Sequence, residues 1–307
     1  MELRVEHFEK GNICPPDLDE VLDDAGKAVR QIPDVHDRIL KLDRLEQIRS
    51  GKFDLAIIKD MDRPVGFLAY QTIDDDASLR FGHVLPQYER YFQAVLASSI
   101  GSLKALGLRS VMGLFNWPQR RSFVDEAMAL GFIQIDRMNM VRRPGVSFVH
   151  KGVPEGITIM PWSNCMAQAA AHMLFKNSSS KDRSFHRPYR TLQGCQAYLA
   201  AIIGGRYGEF LPDHSFLALR DGREVGVVLV AKIPKVGINM VDLAVDSAER
   251  GRGIATVLID RMIVANSKGS NVDIVLAVTS TNLAAKHLYE KMGFEPIENI
   301  QYYYLEL

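Results

Sequence analysis

Apolar and polar residues alternate along the chain with two periods, one typical of strands and the other of amphipathic helices. In the C-terminal half, short apolar runs predict strands over 156–160, 216–220, 225–231, 239–245, 272–278, 294–297 and 302–305. Apolar residues three or four positions apart predict helices over 164–175, 192–203, 254–266 and 283–292. The resulting order, βααβββαβαββ, predicts an α/β fold in which a mixed sheet carries helices on both faces.

Three other segments have simpler patterns. Residues 176–190 are polar and rich in serine, which predicts a mobile loop that lines the acceptor site of any enzyme built on this fold. Asp221-Gly222 stands between two apolar runs and predicts a hairpin turn. Residues 19–49 are charged and have a helical period, with a predicted apolar face made of Val35, Ile39, Leu42, Leu45 and Ile48.

The chain repeats itself at a spacing of about 160 residues. A strand, a turn and a second strand over 55–66 recur over 217–226. Two further matches share an offset of 162 residues, namely Val95-Leu96 with Val257-Leu258 and Leu130-Gly131-Phe132 with Met292-Gly293-Phe294. Repeats of this length indicate a duplicated domain. Pro and Gly residues over 143–156 predict the linker, so we expect one domain over 1–150 and a second over 155–307.

The composition is ordinary for a globular protein, with 47% hydrophobic and 24% charged residues among 307. Lys plus Arg equal Asp plus Glu at 37 each, so we expect no nucleic-acid or membrane partner. No apolar run is long enough to span a bilayer, and the charged N-terminus lacks the core of a secretory signal. Scattered histidines and three scattered cysteines predict a cytoplasmic protein with reduced thiols and no metal, the cysteines being Cys14, Cys165 and Cys195.

The candidate chemistry begins where the strand over 239–245 runs into a loop with Gly251 and Gly253 and then into a helix. Glycines let the backbone approach a ligand closely, and a helix start offers free N–H groups and a positive dipole end. This combination predicts a site for a phosphate-rich ligand. The absence of a Lys-Ser/Thr pair after the glycines argues against a Walker-type nucleotide site.

This loop and a second motif downstream resemble the Gcn5-related N-acetyltransferase (GNAT) family over residues 155–307. The segment Arg250-Gly251-Arg252-Gly253-Ile254-Ala255 matches the family's Arg/Gln-x-x-Gly-x-Gly/Ala motif, and Leu243-Ala244-Val245 matches its cofactor-pairing strand. Asn282, Ala285 and Tyr289 match its Asn-x-x-Ala-x-x-x-Tyr motif, which Gly293-Phe294 closes.

The resemblance implies tandem GNAT folds and acetyl-CoA as cosubstrate. Backbone N–H groups of the loop would hold the pyrophosphate, and Leu243 and Val245 would pair with the pantetheine arm. That pairing requires the strands holding Val245 and Val278 to splay apart. Tyr289 would protonate the leaving thiolate as the catalytic residue. The implied cofactor-binding residues are Leu243, Ala244, Val245, Arg250, Gly251, Arg252, Gly253, Ile254, Ala255, Asn282, Ala285 and Tyr289.

The general base stays open at this point. Relatives carry a glutamate base at one of two positions, which here hold Ala277 and Asn239. The remaining candidates are Asp242, Glu209, His214, Tyr302, Tyr303 and Tyr304, and nothing in the sequence selects one of them.

The N-terminal copy has lost the motif residues. At the offset of 162, Gly251 and Gly253 correspond to Glu89 and Tyr91, and Tyr289 corresponds to Ala127. We therefore predict a degenerate N-terminal domain and a catalytic C-terminal domain that transfers acetyl to a primary amine of a small molecule, peptide or protein. The alternative is a non-catalytic acyl-CoA-binding or regulatory module.

Overall fold

The computed structural model describes residues 3–307 except 13, 74, 148–151, 180–181, 184–185 and 270. The chain forms two compact units. Unit 1 comprises Met1–Asp136 and Ile300–Leu307, and unit 2 comprises Arg137–Asn299. In the part of the chain that is described, no helix is long and apolar enough to cross a membrane.

Unit 1 is a mixed sheet with four described helices. Its strands are β1 (Leu3–Phe8), β2 (Asp54–Asp60), β3 (Arg63–Ile73), β4 (Asp76–Val84), β5 (Ser110–Gly113) and the end of β13 (Glu295–Glu306), in the order β1-β2-β3-β4-β5-β13. Its helices are α1 (Asp19–Arg30), α2 (Val35–Arg49), α3 (Phe92–Ala105) and α4 (Arg120–Ala129). Among the described strand pairs of unit 1, β4–β5 alone is parallel, and α3 provides the crossover between these two strands.

Unit 2 is built in the same way. Its strands are the end of β6 (Ile133–Arg142), then β7 (Ile157–Pro161), β8 (Glu209–Phe210), β9 (Phe216–Arg220), β10 (Arg223–Ile233), β11 (Gly237–Val245) and β12 (Ile274–Thr279). The strand order is β6-β12-β11-β10-β9-β7, with β8 paired to β10. The helices whose bounds the described residues give are α5 (Ala167–Asn177), α6 (Leu192–Ile203), α7 (Ile254–Lys268) and α8 (Leu283–Lys291). Of the pairs between the strands named here, β11–β12 alone is parallel, with α7 as the crossover.

The two units share strand order, the position of the parallel pair and the placement of helices, which agrees with the predicted duplication. Each unit takes its last strand from the opposite half of the chain. Tyr303 to Glu306 pair with β5 in unit 1, and Arg137 to Arg142 pair with β12 in unit 2. The predicted domains over 1–150 and 155–307 refer to the two copies of the repeat in the sequence, and their boundary stays a prediction.

Helices cover both faces of the unit 2 sheet, as predicted. Along β10, Val228 and Val230 pack in one apolar cluster with α7, whereas Val227 and Leu229 pack in another with α5 and α6. Successive strand residues point to opposite faces, so the two clusters lie on opposite sides of the sheet.

Most predicted elements of unit 2 are confirmed. The helix over Leu192–Ile203 has the predicted bounds, and its Thr191 cap accepts a hydrogen bond from the Gly194 N–H at 2.9 Å. The hairpin turns at Asp221-Gly222, where both residues have positive φ. Two expectations are wrong. The last two predicted strands are one strand, β13, and two residues of the predicted apolar face of α2, Val35 and Ile39, are exposed.

The segment predicted to be a mobile loop, residues 176–190, falls partly outside the described residues. Its described part includes a short 3-10 turn over Arg187–Arg190, just before α6.

Candidate functional site

Two neighbouring parallel strands of unit 2 separate at the centre of the sheet. Pairing between β11 and β12 covers Ile238 with Ile274 and Asn239 with Val275. Toward its C-terminal end, β11 remains paired with β10 on its other side up to Val245. The splay that the resemblance requires is therefore present, and it opens a cleft along Leu243 to Val245.

A β-bulge accompanies the separation. On β10, Leu229 pairs with Asp242 and the next residue, Val230, pairs with Met240, so Val241 is an extra residue of β11. Bulges bend a strand and redirect its side chains. Asp242, the residue after the bulge, is among those that line the cleft.

The glycine loop closes one end of the cleft. Gly251 and Gly253 have φ of +79° and +83°, a backbone conformation that favours glycine, and Gly253 is the N-cap of α7. A Cβ at Gly251 would have no heavy atom within 4 Å, so the space over this residue is open. The first N–H groups of α7 are thus available to an anion at this end of the cleft.

The cleft has a volume of about 1050 Å³. The predicted cofactor-binding residues that line it are Leu243, Ala244, Val245, Arg250, Gly251, Gly253, Ile254, Ala255, Asn282, Ala285 and Tyr289. Arg252 is not among the lining residues; its guanidinium lies 3.6 Å from the Glu249 carboxylate, and its side chain is 57% exposed.

Two of the lining residues have structural contacts of their own. Arg250 donates hydrogen bonds to the Val245 carbonyl at 3.4 Å and to the Asn177 carbonyl at 3.1 Å, so it ties the loop to the end of α5. Asn282 is the N-cap of α8, and its side-chain oxygen accepts from the Ala285 N–H at 3.2 Å. The Asn-x-x-Ala spacing therefore has a local explanation as a helix cap.

Asp242 lies at the other end of the cleft, away from the glycine loop. Its carboxylate accepts a hydrogen bond from the Tyr189 hydroxyl. Burial raises the pKa of Asp242 to about 6, although hydrogen bonds from Tyr189 and from the Leu243 N–H oppose the rise. The charge of Asp182 adds to the rise and that of Arg137 opposes it. A carboxylate with such a pKa is mostly ionised at pH 7 and is able to accept a proton.

Tyr289 faces the same space from α8. It is 8% exposed and its ring packs edge-on against Phe294 at 5.9 Å between centroids. Burial raises the pKa of Tyr289, and the nearby charge of Asp242 raises it further. Its hydroxyl therefore keeps its proton at neutral pH and is available as a donor. The cleft thus brings a proton acceptor and a proton donor together.

The other base candidates lie elsewhere among the described residues. Glu209 and His214 do not line the cleft. Tyr302, Tyr303 and Tyr304 belong to unit 1. Ala277 lines the cleft but has no titratable group.

Sequence reasoning missed a group of rings next to Asp242, consisting of His186, Tyr189 and Tyr198, which we call the ring cluster. The centroid of the His186 ring lies 4.3 Å from the centroid of the Tyr189 ring and 4.7 Å from that of the Tyr198 ring. All three residues line the cleft. For His186 and Tyr189, the signal in the sequence was the prediction that the stretch over 176–190 lines an acceptor site; Tyr198 lies outside that stretch, in α6.

The corresponding region of unit 1 is filled by its own side chains. Gly82 lies on β4 beyond the point where its pairing with β5 ends. A Cβ added at Gly82 would lie 3.1 Å from both Trp117 and Phe123. The Gln119 amide pairs with the backbone of Val84, donating at 2.8 Å and accepting at 3.0 Å. These contacts occupy the strand edge that is open in unit 2.

Residues 212–296 match the family model of the acetyltransferase (GNAT) domain. N-alpha-acetyltransferase 30 of Schizosaccharomyces pombe is 33% identical over 99 residues, which cover 31% of this chain and 65% of that protein. A segment of 46 residues is 50% identical to an ATP-dependent helicase/nuclease of Lactiplantibacillus plantarum and covers 15% of this chain and 4% of that protein. The chain thus spans less than two thirds of the length of either curated relative.

Two solved structures resemble the whole chain. A GCN5-related N-acetyltransferase from Sphaerobacter thermophilus gives a TM-score of 0.57 at 17% identity, over 99% of this chain and 95% of that one. A tandem GNAT protein from the clavulanic acid biosynthesis pathway gives a TM-score of 0.50 at 14% identity, over 99% and 98% of the two chains. These likenesses show the fold alone, which is that of two GNAT folds in tandem.

Proposed function

We propose that this chain is an acyltransferase of the Gcn5-related N-acetyltransferase family and that it transfers acetyl from acetyl-CoA to a primary amine in the cleft of unit 2. The observation that carries the proposal is the splay between β11 and β12, which leads from the glycine loop to Asp242 and Tyr289. The name of the Schizosaccharomyces pombe relative, an N-alpha-acetyltransferase, agrees with an amine acceptor.

The residues present fit acetyl-CoA. The open space over Gly251 and the start of α7 suit the pyrophosphate, and the strand edge from Leu243 to Val245 suits the amide groups of the pantetheine arm. Bound acetyl-CoA supplies an acetyl group already activated as a thioester.

Asp242 and Tyr289 divide the proton transfers. The ammonium group of the acceptor gives one proton to the Asp242 carboxylate, because an alkylamine with a pKa of about 10.4 attacks only when neutral. A backbone N–H between Leu243 and Val245 donates to the developing oxyanion. The Tyr289 hydroxyl donates a proton to the departing sulfur and regains one from the amine nitrogen as the amide forms. The net products are one amide, one thiol and one proton.

The test compares two glycines with the same backbone conformation. Gly251 and Gly222 have φ of +79° and +76°, and a Cβ at either meets no heavy atom within 4 Å, but only Gly251 lines the cleft. Glutamate at either position is equally strained, whereas Gly251→Glu also places a negative charge beside the proposed phosphate site. We expect calorimetry to show acetyl-CoA affinity reduced at least 10-fold in Gly251→Glu and unchanged in Gly222→Glu. Equal affinities in the two variants would refute the site.

A further inference from the structure

We propose that the acceptor is an arylalkylamine without a carboxylate, whose ammonium group binds Asp242 and whose aromatic body contacts the ring cluster. This inference rests on the proposed function and names the substrate class of the same cleft.

The position of Asp242 relative to the loop supports an acceptor site there. A strand rises about 3.3 Å per residue, so Asp242 lies about 10 Å before Val245 along β11 and farther still from the glycine loop. A ligand held at the loop and extended along the strand therefore directs its far end toward Asp242. The space beyond that end belongs to the second substrate.

The charges at this end favour a monocation. Asp242 and Asp182 each carry one negative charge, and Arg137 carries one positive charge; all three line the cleft. His186 is neutral at pH 7, because burial lowers its pKa to about 4 with help from the charge of Arg137. Tyr189, Tyr198 and Tyr289 keep their protons, because burial raises the pKa of each hydroxyl. Among the described residues that line this end, the two carboxylates outnumber the single guanidinium, so an ammonium group is favoured, whereas an amino acid would add a third carboxylate beside Asp242 and Asp182.

The rings favour an aromatic body next to that cation. Tyr189 and Tyr198 meet edge-on with centroids 5.9 Å apart, and His186 packs against both. Edge-on clusters of this kind accept a further ring, and the ring faces attract cations. The buried Nε2 of His186 has no hydrogen-bond partner among the described residues. An unpaired buried polar atom is costly unless a ligand or water satisfies it, so this end of the cleft is suited to an occupant.

The first experiment uses a matched pair of acceptors. 2-Phenylethylamine and phenylalanine share a body and an amine and differ by one carboxylate, while glucosamine has an amine on a polar body and a short peptide offers an N-terminal amine. With the full chain and saturating acetyl-CoA, CoA release should give kcat/KM at least 10-fold higher for 2-phenylethylamine than for the other three. Equal or better turnover of any of those three, or binding of acetyl-CoA without turnover of 2-phenylethylamine, would overturn the inference. A chain that does not bind acetyl-CoA refutes the proposed function instead.

The second experiment removes one ring. Tyr198→Leu should raise KM for 2-phenylethylamine about 3- to 10-fold, the range expected for a lost contact between two aromatic rings, and leave the acetyl-CoA affinity unchanged. Tyr207→Leu is the matched control, because Tyr207 packs against Tyr198 at 5.3 Å but does not line the cleft. A KM that stays constant in Tyr198→Leu, or rises equally in both variants, contradicts a role of this ring in acceptor binding.

Discussion

At the scale of single residues, burial leaves Asp242 and Tyr289 in different protonation states at neutral pH. Burial raises both pKa values, which leaves Tyr289 fully protonated at pH 7 but leaves Asp242 mostly ionised. Asp242 stays charged although its burial disfavours the charge, and the Tyr189 hydroxyl donates a hydrogen bond to its carboxylate. A carboxylate buried in this way destabilises the folded protein at neutral pH, and the role in proton transfer that we propose would account for that penalty.

Asp242→Asn should therefore stabilise the protein and inactivate it. The folded pKa of Asp242, about 6, exceeds the ordinary value of 3.8, so the folded state binds the proton more tightly and the free energy of unfolding falls as pH rises from about 4 to about 6. At pH 7.5, denaturant unfolding should show the variant more stable by roughly 1–3 kcal/mol. Acetyl transfer should drop about 100-fold or more, and the wild-type rate should fall below about pH 6.

Asp246 provides the control of opposite sign. Its hydrogen bond from Lys176 lowers the pKa of Asp246, so its ionised form stabilises the fold above the ordinary pKa of an aspartate. Asp246→Asn should lower the free energy of unfolding at pH 7.5. If both substitutions lower stability and Asp242→Asn keeps its rate, Asp242 is an ordinary structural carboxylate.

At the scale of elements, the position of α7 on β10 depends on the absence of a side chain at Gly226. A Cβ there would lie 3.0 Å from Ile254 and from Leu258, so alanine would push the start of α7 away from the sheet by a few tenths of an ångström. Gly226→Ala should lower stability by about 1–3 kcal/mol and weaken acetyl-CoA binding, as measured by thermal unfolding and calorimetry. In unit 1, Gly113→Ala makes a comparable contact, 3.1 Å from the Leu79 Cβ, and should lower stability alone. Unchanged acetyl-CoA binding in Gly226→Ala would show that ligand binding at the glycine loop does not depend on how α7 packs against the sheet.

Local patterns were enough to predict elements with their own start and stop signals. The helix over Leu192–Ile203 begins at a Thr191 cap and ends before Gly204, and both signals are visible in the sequence. The single strand β13 was missed because three polar residues in its middle, Glu298, Asn299 and Gln301, interrupt the apolar pattern. Val35 and Ile39 were placed on a buried face because periodicity identifies a face but does not say what covers it.

At the scale of the whole molecule, the sequence motifs name most of the residues that line the glycine-loop end of the cleft, whereas they name none of the ring cluster next to Asp242. The loop residues follow one another along the chain, so a motif describes them. Tyr189 and Tyr198 meet Asp242 only after α6 and the segment before it pack against the sheet, a tertiary contact without a fixed spacing. The same limit applies to the last strands, because nothing local tells Arg137 to Arg142 to pair with β12.

That pairing makes the boundaries of the structural units testable. A fragment over 137–299 keeps the six paired residues from Arg137 to Arg142 that lie beside β12. A fragment over 155–307 corresponds instead to the second domain as predicted from the sequence repeat. It lacks that strand and carries Tyr303 and Tyr304, which are 2% and 4% exposed in the full chain. Exposed strand edges and apolar surface promote aggregation. We expect the first fragment to unfold cooperatively and bind acetyl-CoA, and the second to aggregate. A well-folded second fragment with full affinity would mean that β12 does not need its partner strand, and that the copy rather than the compact unit is the folding unit.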